Sequence, residues 1–265
     1  MARFLVRGAG DIGSAVALRL RSRGHVVVLH DAPRPTHPRR GMAFTDAWFE
    51  KACTLEGMLA KRAPSAESVG RMLACGRALP VCDADFEEVL AEVVPDVLVD
   101  ARMHKHDDPE PLRGLAPLSI GLGPGFRAGD NADVVIETAW GDSLGKVIRH
   151  GPAQVYAGEP RPLGGHGRER YVYAKSAGVF LTDRAIGDRV AEGETVARVG
   201  EVPVVAPLSG VLRGLTHDGA QVTAGTKVLE VDPRGDPARA FGVGERPARI
   251  ADGVLEAIAS LPQGD

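Results

Sequence analysis

The 265-residue chain is poor in cysteine and in aromatic residues, and it carries no large excess of charge of either sign. Its three cysteines, Cys53, Cys75 and Cys82, are odd in number and contain no Cys-x-x-Cys pair. That spacing supports neither a disulfide framework nor a zinc knuckle, and the three read as reduced, partly buried thiols. Against 32 Lys and Arg stand 35 Asp and Glu, a formal net charge of −3. Nucleic acid and anionic membrane surfaces, which need a basic face, are therefore not indicated as partners. No apolar run approaches the roughly 18 residues of a membrane span, and the opening residues lack the shape of a signal peptide. The cytoplasm is the expected compartment. Aromatics make up only 5% of the chain while Gly (33) and Pro (19) are frequent, which points to many tight turns and small Val- and Ala-rich layers.

What is present is organised around residues 4–31. An apolar run (Phe4, Leu5, Val6) leads into Gly8, Gly10 and Gly13 in the pattern GAGDIG, then into a helical pattern carrying Ile12, Ala15, Val16, Leu18 and Leu20. In a dinucleotide-binding βαβ unit the first glycine permits the tight turn, the second admits a pyrophosphate, and the third packs helix against strand. The N–H groups at the helix N-terminus, beginning at Asp11, then offer partial positive charge to phosphates. Asp31 ends the second strand, 23 positions after Gly8, where a carboxylate accepts ribose hydroxyls. The loop that follows holds Pro33, Pro35 and Pro38, which forbid a regular helix, together with Arg34, Arg39 and Arg40. Arg39 and Arg40 are candidates to meet a phosphate, or they belong to a solvated basic loop.

Residues 44–61 read as short irregular strands. A helix capped by Ser65 and stopped by Gly76 follows, then a strand through Val81, a helix over 83–94, and strands at 96–102, within 117–126 and at 134–139. This alternation predicts an α/β, Rossmann-like, mostly parallel sheet over residues 1–150. Ligands of such sheets bind beyond the carboxyl ends of the strands, which here carry GAGDIG, Asp100, the Gly121, Gly123 and Gly125 loop, and Glu137. The second glycine loop can form an anion nest or an open turn. His104 and His106 flank Lys105 in a pattern compatible with metal, yet no third ligand stands at a fixed spacing, and no metal is expected. Lys105 and Glu137 are the weak candidates for a general acid or base.

Residues 151–174 read as a linker. Beyond it the chain repeats itself: 178–199 aligns with 210–231 at an offset of 32, matching Gly187 to Gly219, Val190 to Val222 and Gly193 to Gly225. Each unit is expected to be a pair of short strands around a Gly-x-x-Val-x-x-Gly turn, the two units closing one small sandwich. With the entry Ala206-Pro207-Leu208-Ser209-Gly210 this resembles the biotinyl/lipoyl-attachment fold, the hammerhead module of cofactor carriers. The segment joining the repeats has no lysine, so the carrier role is not expected over 175–234. The tail, 235–265, ends in an amphipathic helix at about 251–261, with Val254, Leu255, Ile258 and Leu261 on one face.

GAGDIG, the Pro- and Arg-rich run after Asp31, VDAR, IGLGPGF, VIETAWGDSLGKVI, the lysine-free repeat, DPRGD and DGVLEAI follow in an order that resembles the YqeB-type accessory proteins of selenium-dependent molybdenum hydroxylase systems. The resemblance implies a maturation factor whose Rossmann-like half binds a nucleotide or the molybdenum cofactor, a molybdopterin nucleotide. Its partners would be that phosphate-bearing small molecule and a client molybdenum hydroxylase, with homo-oligomer formation left open. From the glycine fingerprint and Asp31 alone, an NAD(P)-dependent oxidoreductase is the alternative, and a non-catalytic scaffold a third.

Overall fold

In the computed structural model, residues 1–104, 108–158 and 160–259 are described. Lys105, His106 and Leu261, named above, lie outside the described residues. The first strand, β1 (Arg3–Arg7), places Phe4, Leu5 and Val6 out of contact with water, because both faces of the sheet are covered. That is why its apolar residues run on rather than alternate. Helix α1 (Asp11–Ser22) and strand β2 (Val26–His30) complete the βαβ unit.

A single helical turn, α2 (Ala47–Glu50), then precedes a regular antiparallel hairpin of β3 (Ala52–Leu55) and β4 (Met58–Ala63). This corrects the expectation of irregular strands for 44–61: four residues are too few to show a helical period. Helix α3 (Ala66–Cys75) has the expected ends. Ser65 and Ser68 exchange hydrogen bonds in a capping box, and Gly76 is left-handed at φ 69°. There follow β5 (Leu79–Cys82), α4 (Phe86–Val93) capped by Asp85, β6 (Val97–Asp100), β7 (Leu118–Leu122), β8 (Arg127–Ala128), β9 (Val134–Ile136), β10 (Val147–Ile148) and β11 (Gly151–Pro152).

Nine of these strands form one sheet in the order β10-β9-β7-β6-β1-β2-β5-β4-β3, and β8 pairs with β11 in a ribbon of its own. All neighbours are parallel except the hairpins at the two edges. Because β1 lies between β2 and β6, successive crossovers leave it in opposite directions, and a crevice opens at the carboxyl end of β1. Phe4 and Val6 pack under α1, and Leu5 packs with Val69 of α3 and Val89 of α4 on the other face.

The second half is an all-β module of β12 (Tyr171–Tyr173), β13 (Gly178–Leu181), β14 (Arg189–Val190), β15 (Thr195–Val199), β16 (Val202–Val205), β17 (Gly210–Leu215), β18 (Ala220–Val222) and β19 (Lys227–Asp232). Each repeat unit has three strands, not the expected pair: β13, β14 and β15 correspond to β17, β18 and β19. The middle strands are exchanged, β14 pairing with β17 of the other unit and β18 with β13. Two sheets result, β12-β19-β17-β14 and β16-β15-β13-β18, closed over Phe180, Leu212, Val228 and Leu229. Tyr171–Tyr173, within the expected linker, is thus an edge strand of the module.

The tail returns to the first half. Helix α5 (Glu245–Ala259) begins earlier than the expected 251, because Pro247 sits in its first turn, where a missing N–H costs no intrahelical bond. Val254 and Ala257 are buried against the face that α1 also covers. The module is tied to the loop after β2: Leu215 N–H donates to Pro38 O at 2.8 Å, Arg40 Nε to Leu215 O at 2.7 Å, and the His217 ring stacks on Phe49 at 4.0 Å. The carboxyl end of the sheet therefore faces the β module.

Candidate functional site

The glycine turn is built as its spacing demands at two of three positions. Gly8 is left-handed at φ 98°, and a Cβ on Gly13 would lie 1.8 Å from Gly8 O, so helix and strand meet there backbone to backbone. At Gly10 the neighbour is the imidazole of His37, whose Nδ1 would be 3.3 Å from an added Cβ. That is the glycine a pyrophosphate approaches in dinucleotide folds. Asp31 is also engaged from within. Its Oδ2 accepts from Ala9 N–H at 2.5 Å and lies 2.8 Å from His37 Nε2, while Oδ1 accepts from Ala32 N–H at 2.7 Å. Burial alone would raise the Asp31 pKa, but the His37 bond and charge outweigh it and bring it down. Burial opposes, and Asp31 prevails in, the rise of the His37 pKa.

At the N-terminus of α1 a carboxylate already sits in the dipole's field. Asp11 Oδ1 accepts from Ile12 N–H at 3.1 Å, and Oδ2 accepts from Arg39 at 2.8 Å. Arg39 continues to Glu230 of β19, donating from Nε at 2.7 Å and from a terminal nitrogen at 3.1 Å. Glu230 is wholly buried and also pairs with Arg170, with Lys227 at 3.7 Å and with Arg213 at 3.8 Å. Burial would raise its pKa; Arg39 and then Lys227 reverse that and hold it far below the usual carboxylate range. Arg213 moves the other way, its pKa lowered by burial and by Arg39. The Nε atoms of Arg170 and Arg213 are buried without a hydrogen-bond partner among the described residues.

From α5, Arg246 Nε donates to Thr138 O at 2.7 Å, and its guanidinium is within electrostatic reach of Asp11 and Arg39. Its pKa is lowered, first by burial. Arg39, Arg170, Arg213, Lys227 and Arg246 thus surround Asp11 and Glu230, with Asp232 also acting on Arg213 and Glu137 on Arg246.

The remaining candidates sit on neighbouring strand ends. Asp100 is buried and binds Arg102 through its N–H at 2.9 Å and its guanidinium at 2.6 Å, with His104 Nε2 at 3.3 Å. Burial would raise its pKa, but His104 and Arg102 bring it to about 2. A Cβ on Gly121 would enter the Phe126 ring at 2.2 Å, and one on left-handed Gly123 would meet Thr138 Oγ1 at 2.3 Å. Gly125 is left-handed too, at φ 85°. Glu137 accepts three backbone N–H groups, from Thr138 (2.7 Å), Ala139 (2.8 Å) and Gln154 (2.9 Å), and so ties β9 to the segment after β11. Arg40 turns away, to Leu215 O and to Asp46 at 2.7 Å.

The structure therefore brings Gly8, Gly10, Asp11, Gly13, Asp31 and Arg39 into one place and links them to the Gly123 loop through Arg246 and Thr138. Motif reading missed Glu230, Arg170, Arg213, Lys227 and Arg246. One signal was available: at offset 32 Glu230 aligns with Arg198, so a charge reversal marks one strand of the repeat, and Arg198 is exposed where Glu230 is buried. No group of three metal-ligating side chains occurs among the described residues. Burial pushes the Cys53 thiol up to about 12 and also raises that of Cys82. No helix among the described residues is long and apolar enough to cross a membrane.

Comparison with known proteins gives one strong likeness. The chain is 39% identical over 257 residues to the Escherichia coli (strain K12) protein named "Uncharacterized protein YqeB", a match that takes in 97% of this chain. The chain belongs to the YqeB-type family. It spans about half, 47%, of the length of that YqeB relative. No family model matches. Among solved structures, the ectoine utilization protein EutE (DoeB) of Ruegeria pomeroyi is 24% identical over 32% of this chain and 27% of its own, with a TM-score of 0.23. A succinylglutamate desuccinylase of a Silicibacter species is 17% identical over 87% of this chain and 84% of its own, with a TM-score of 0.25. Likenesses at these scores carry neither fold nor chemistry across.

Proposed function

We propose that the chain is an accessory factor for a molybdenum hydroxylase, and that it holds a phosphate-bearing cofactor in the crevice between the parallel sheet and the β module. The cofactor is a nucleotide or the molybdenum cofactor in its molybdopterin nucleotide form, which would bring the redox chemistry. The residues of this chain bind and shield it. One observation carries the reading: at the N-terminus of α1, at the point where the crossovers diverge, five cations surround two carboxylates. Two of those cations bury an Nε without a partner, and such atoms are costly unless a ligand or water satisfies them. An anion entering from the Thr138 side meets Arg246, Lys227 and the dipole of α1, and Asp11 yields Arg39 to it.

The glycine turn with Asp31 also supports an NAD(P)-dependent oxidoreductase. That reading requires ribose hydroxyls to displace His37 from Asp31, and a general base other than Glu137, whose carboxylate is committed to backbone N–H groups. Titration calorimetry with NAD, NADP, FAD and a molybdopterin nucleotide separates the two. The accessory reading expects the molybdopterin nucleotide to bind, and Arg246→Gln to weaken it about tenfold or more, as for a lost charge-assisted hydrogen bond. A strain deleted for the gene is expected to make hydroxylase depleted in cofactor; unchanged cofactor content would contradict the proposal.

A further inference from the structure

Towards the β3 edge of the nine-stranded sheet, helix α3 packs on β4, β5 and α4, and beside it, over the outer hairpin, lies a groove of about 580 Å³. That volume falls within the roughly 300–1,000 Å³ range of small-molecule sites. Its floor is apolar and half-buried, from Leu59 of β4, Met72 of α3, Ala52 and Ala78. Its rim is cationic: Lys51, Lys61, Arg62 and Arg77 line it, and no acidic side chain does.

Of these, Arg62 is paired with Asp83 at 2.8 Å. Lys51, Lys61 and Arg77 have no acidic partner among the described residues. Exposed ion pairs contribute little, so what marks these residues is where they stand. Here three unpaired cations converge on an apolar floor, held by a backbone that is itself fixed, since Arg62 N–H donates to Lys51 O at 2.9 Å and Lys51 is left-handed at φ 66°.

We propose that this groove is a second ligand site, for a small molecule with an apolar or aromatic body and a phosphate or carboxylate head. The body lies on Leu59 and Met72, and the head is neutralised by Lys61, Arg77 and Lys51. Its lining strand β4 is three strands from β1 in the sheet, and it shares no residue with the crevice there, so it is independent of what that crevice holds.

Cys75, exposed at the end of α3 and lining the groove, reports occupancy. Alkylation of Cys75 by iodoacetamide in the full chain is followed by mass spectrometry in the presence of adenosine monophosphate or of decanoate, with calorimetry on the Cys75→Ser variant in parallel. The expected result is protection by one of the two, which tells a nucleoside phosphate from an acyl carboxylate. Protection and affinity should fall about tenfold or more in the Lys61→Gln/Arg77→Gln double variant, whose changes are on the surface and leave the fold intact. They should persist in Arg246→Gln, which separates this site from the crevice. Failure of both ligands to protect Cys75, or protection that survives the double variant, would overturn the proposal.

Discussion

The imidazole of His37 stands where the sequence would place a ligand: Nε2 lies 2.8 Å from Asp31 Oδ2, and the ring rests on Gly10. The loop after β2 supplies from within what a ribose and a pyrophosphate supply in dinucleotide folds. Its closure is tied to charge. His37 has a raised pKa, so its contribution is full below the ordinary value of about 6.5 and is lost as pH rises through the folded value. Asp31 has a lowered pKa, so its contribution is full above about 3.9 and is lost as pH falls through the folded value. The pair is strongest in mildly acidic solution. Thermal melts of the native chain and of His37→Gln should differ most between the ordinary values of about 3.9 and 6.5, and the difference should shrink as pH rises above the upper one. A difference that does not change with pH would contradict the pairing.

Glu230 is the pivot of the junction. Replacement by Gln leaves Arg170 buried without its counter-ion and Arg39 with Asp11 alone, and removing one partner of a buried pair costs about 3–5 kcal/mol. Chemical denaturation should show a loss of that size, whereas Arg198→Gln, at the equivalent but exposed repeat position, should fall within about 0.5 kcal/mol of the native chain. Because the folded pKa of Glu230 is depressed, its contribution is present at neutral pH and fades only below the ordinary carboxylate range.

The glycines of the turn should differ in tolerance. Gly13→Ala drives a methyl to 1.8 Å from a backbone oxygen, which only movement of α1 relieves, at a cost of about 3 kcal/mol or more. Gly10→Ala meets the movable imidazole of His37 at 3.3 Å and should cost less. Melting temperatures of the two variants rank them; equal losses would refute the assignment of roles.

Thiol reactivity should be divided. Cys75 is exposed, while Cys53 is pushed up to about 12 by burial and Cys82 is buried and likewise raised. Titration of the native chain with a chromogenic disulfide at pH 8 should give one fast thiol and two that appear only on denaturation. Three fast thiols would contradict the packing of β3 and β5.

What was legible in the sequence was local. The βαβ turn, the Ser65 cap and the Gly76 stop announced themselves because each depends on residues a few positions apart, and the repeat because its two copies align at one fixed offset of 32. The exchange of β14 and β18 between repeat units was not visible, since both registers satisfy the same alternation of apolar residues. Nor was the charge cluster: Asp11, Arg39, Arg170, Glu230 and Arg246 come from five separate segments of the chain, and nothing in their spacing says that these meet. His37 shows the limit most clearly, because a motif states which groups can take a ligand and not whether the chain has already filled the place.

The most direct test of the account is calorimetric titration of the native chain and of Lys227→Gln/Arg246→Gln with a molybdopterin nucleotide. The account predicts binding to the native chain and a loss of about tenfold or more in the variant, with both proteins melting as folded domains. Absence of binding to the native chain, or affinity unchanged in the variant, would contradict it.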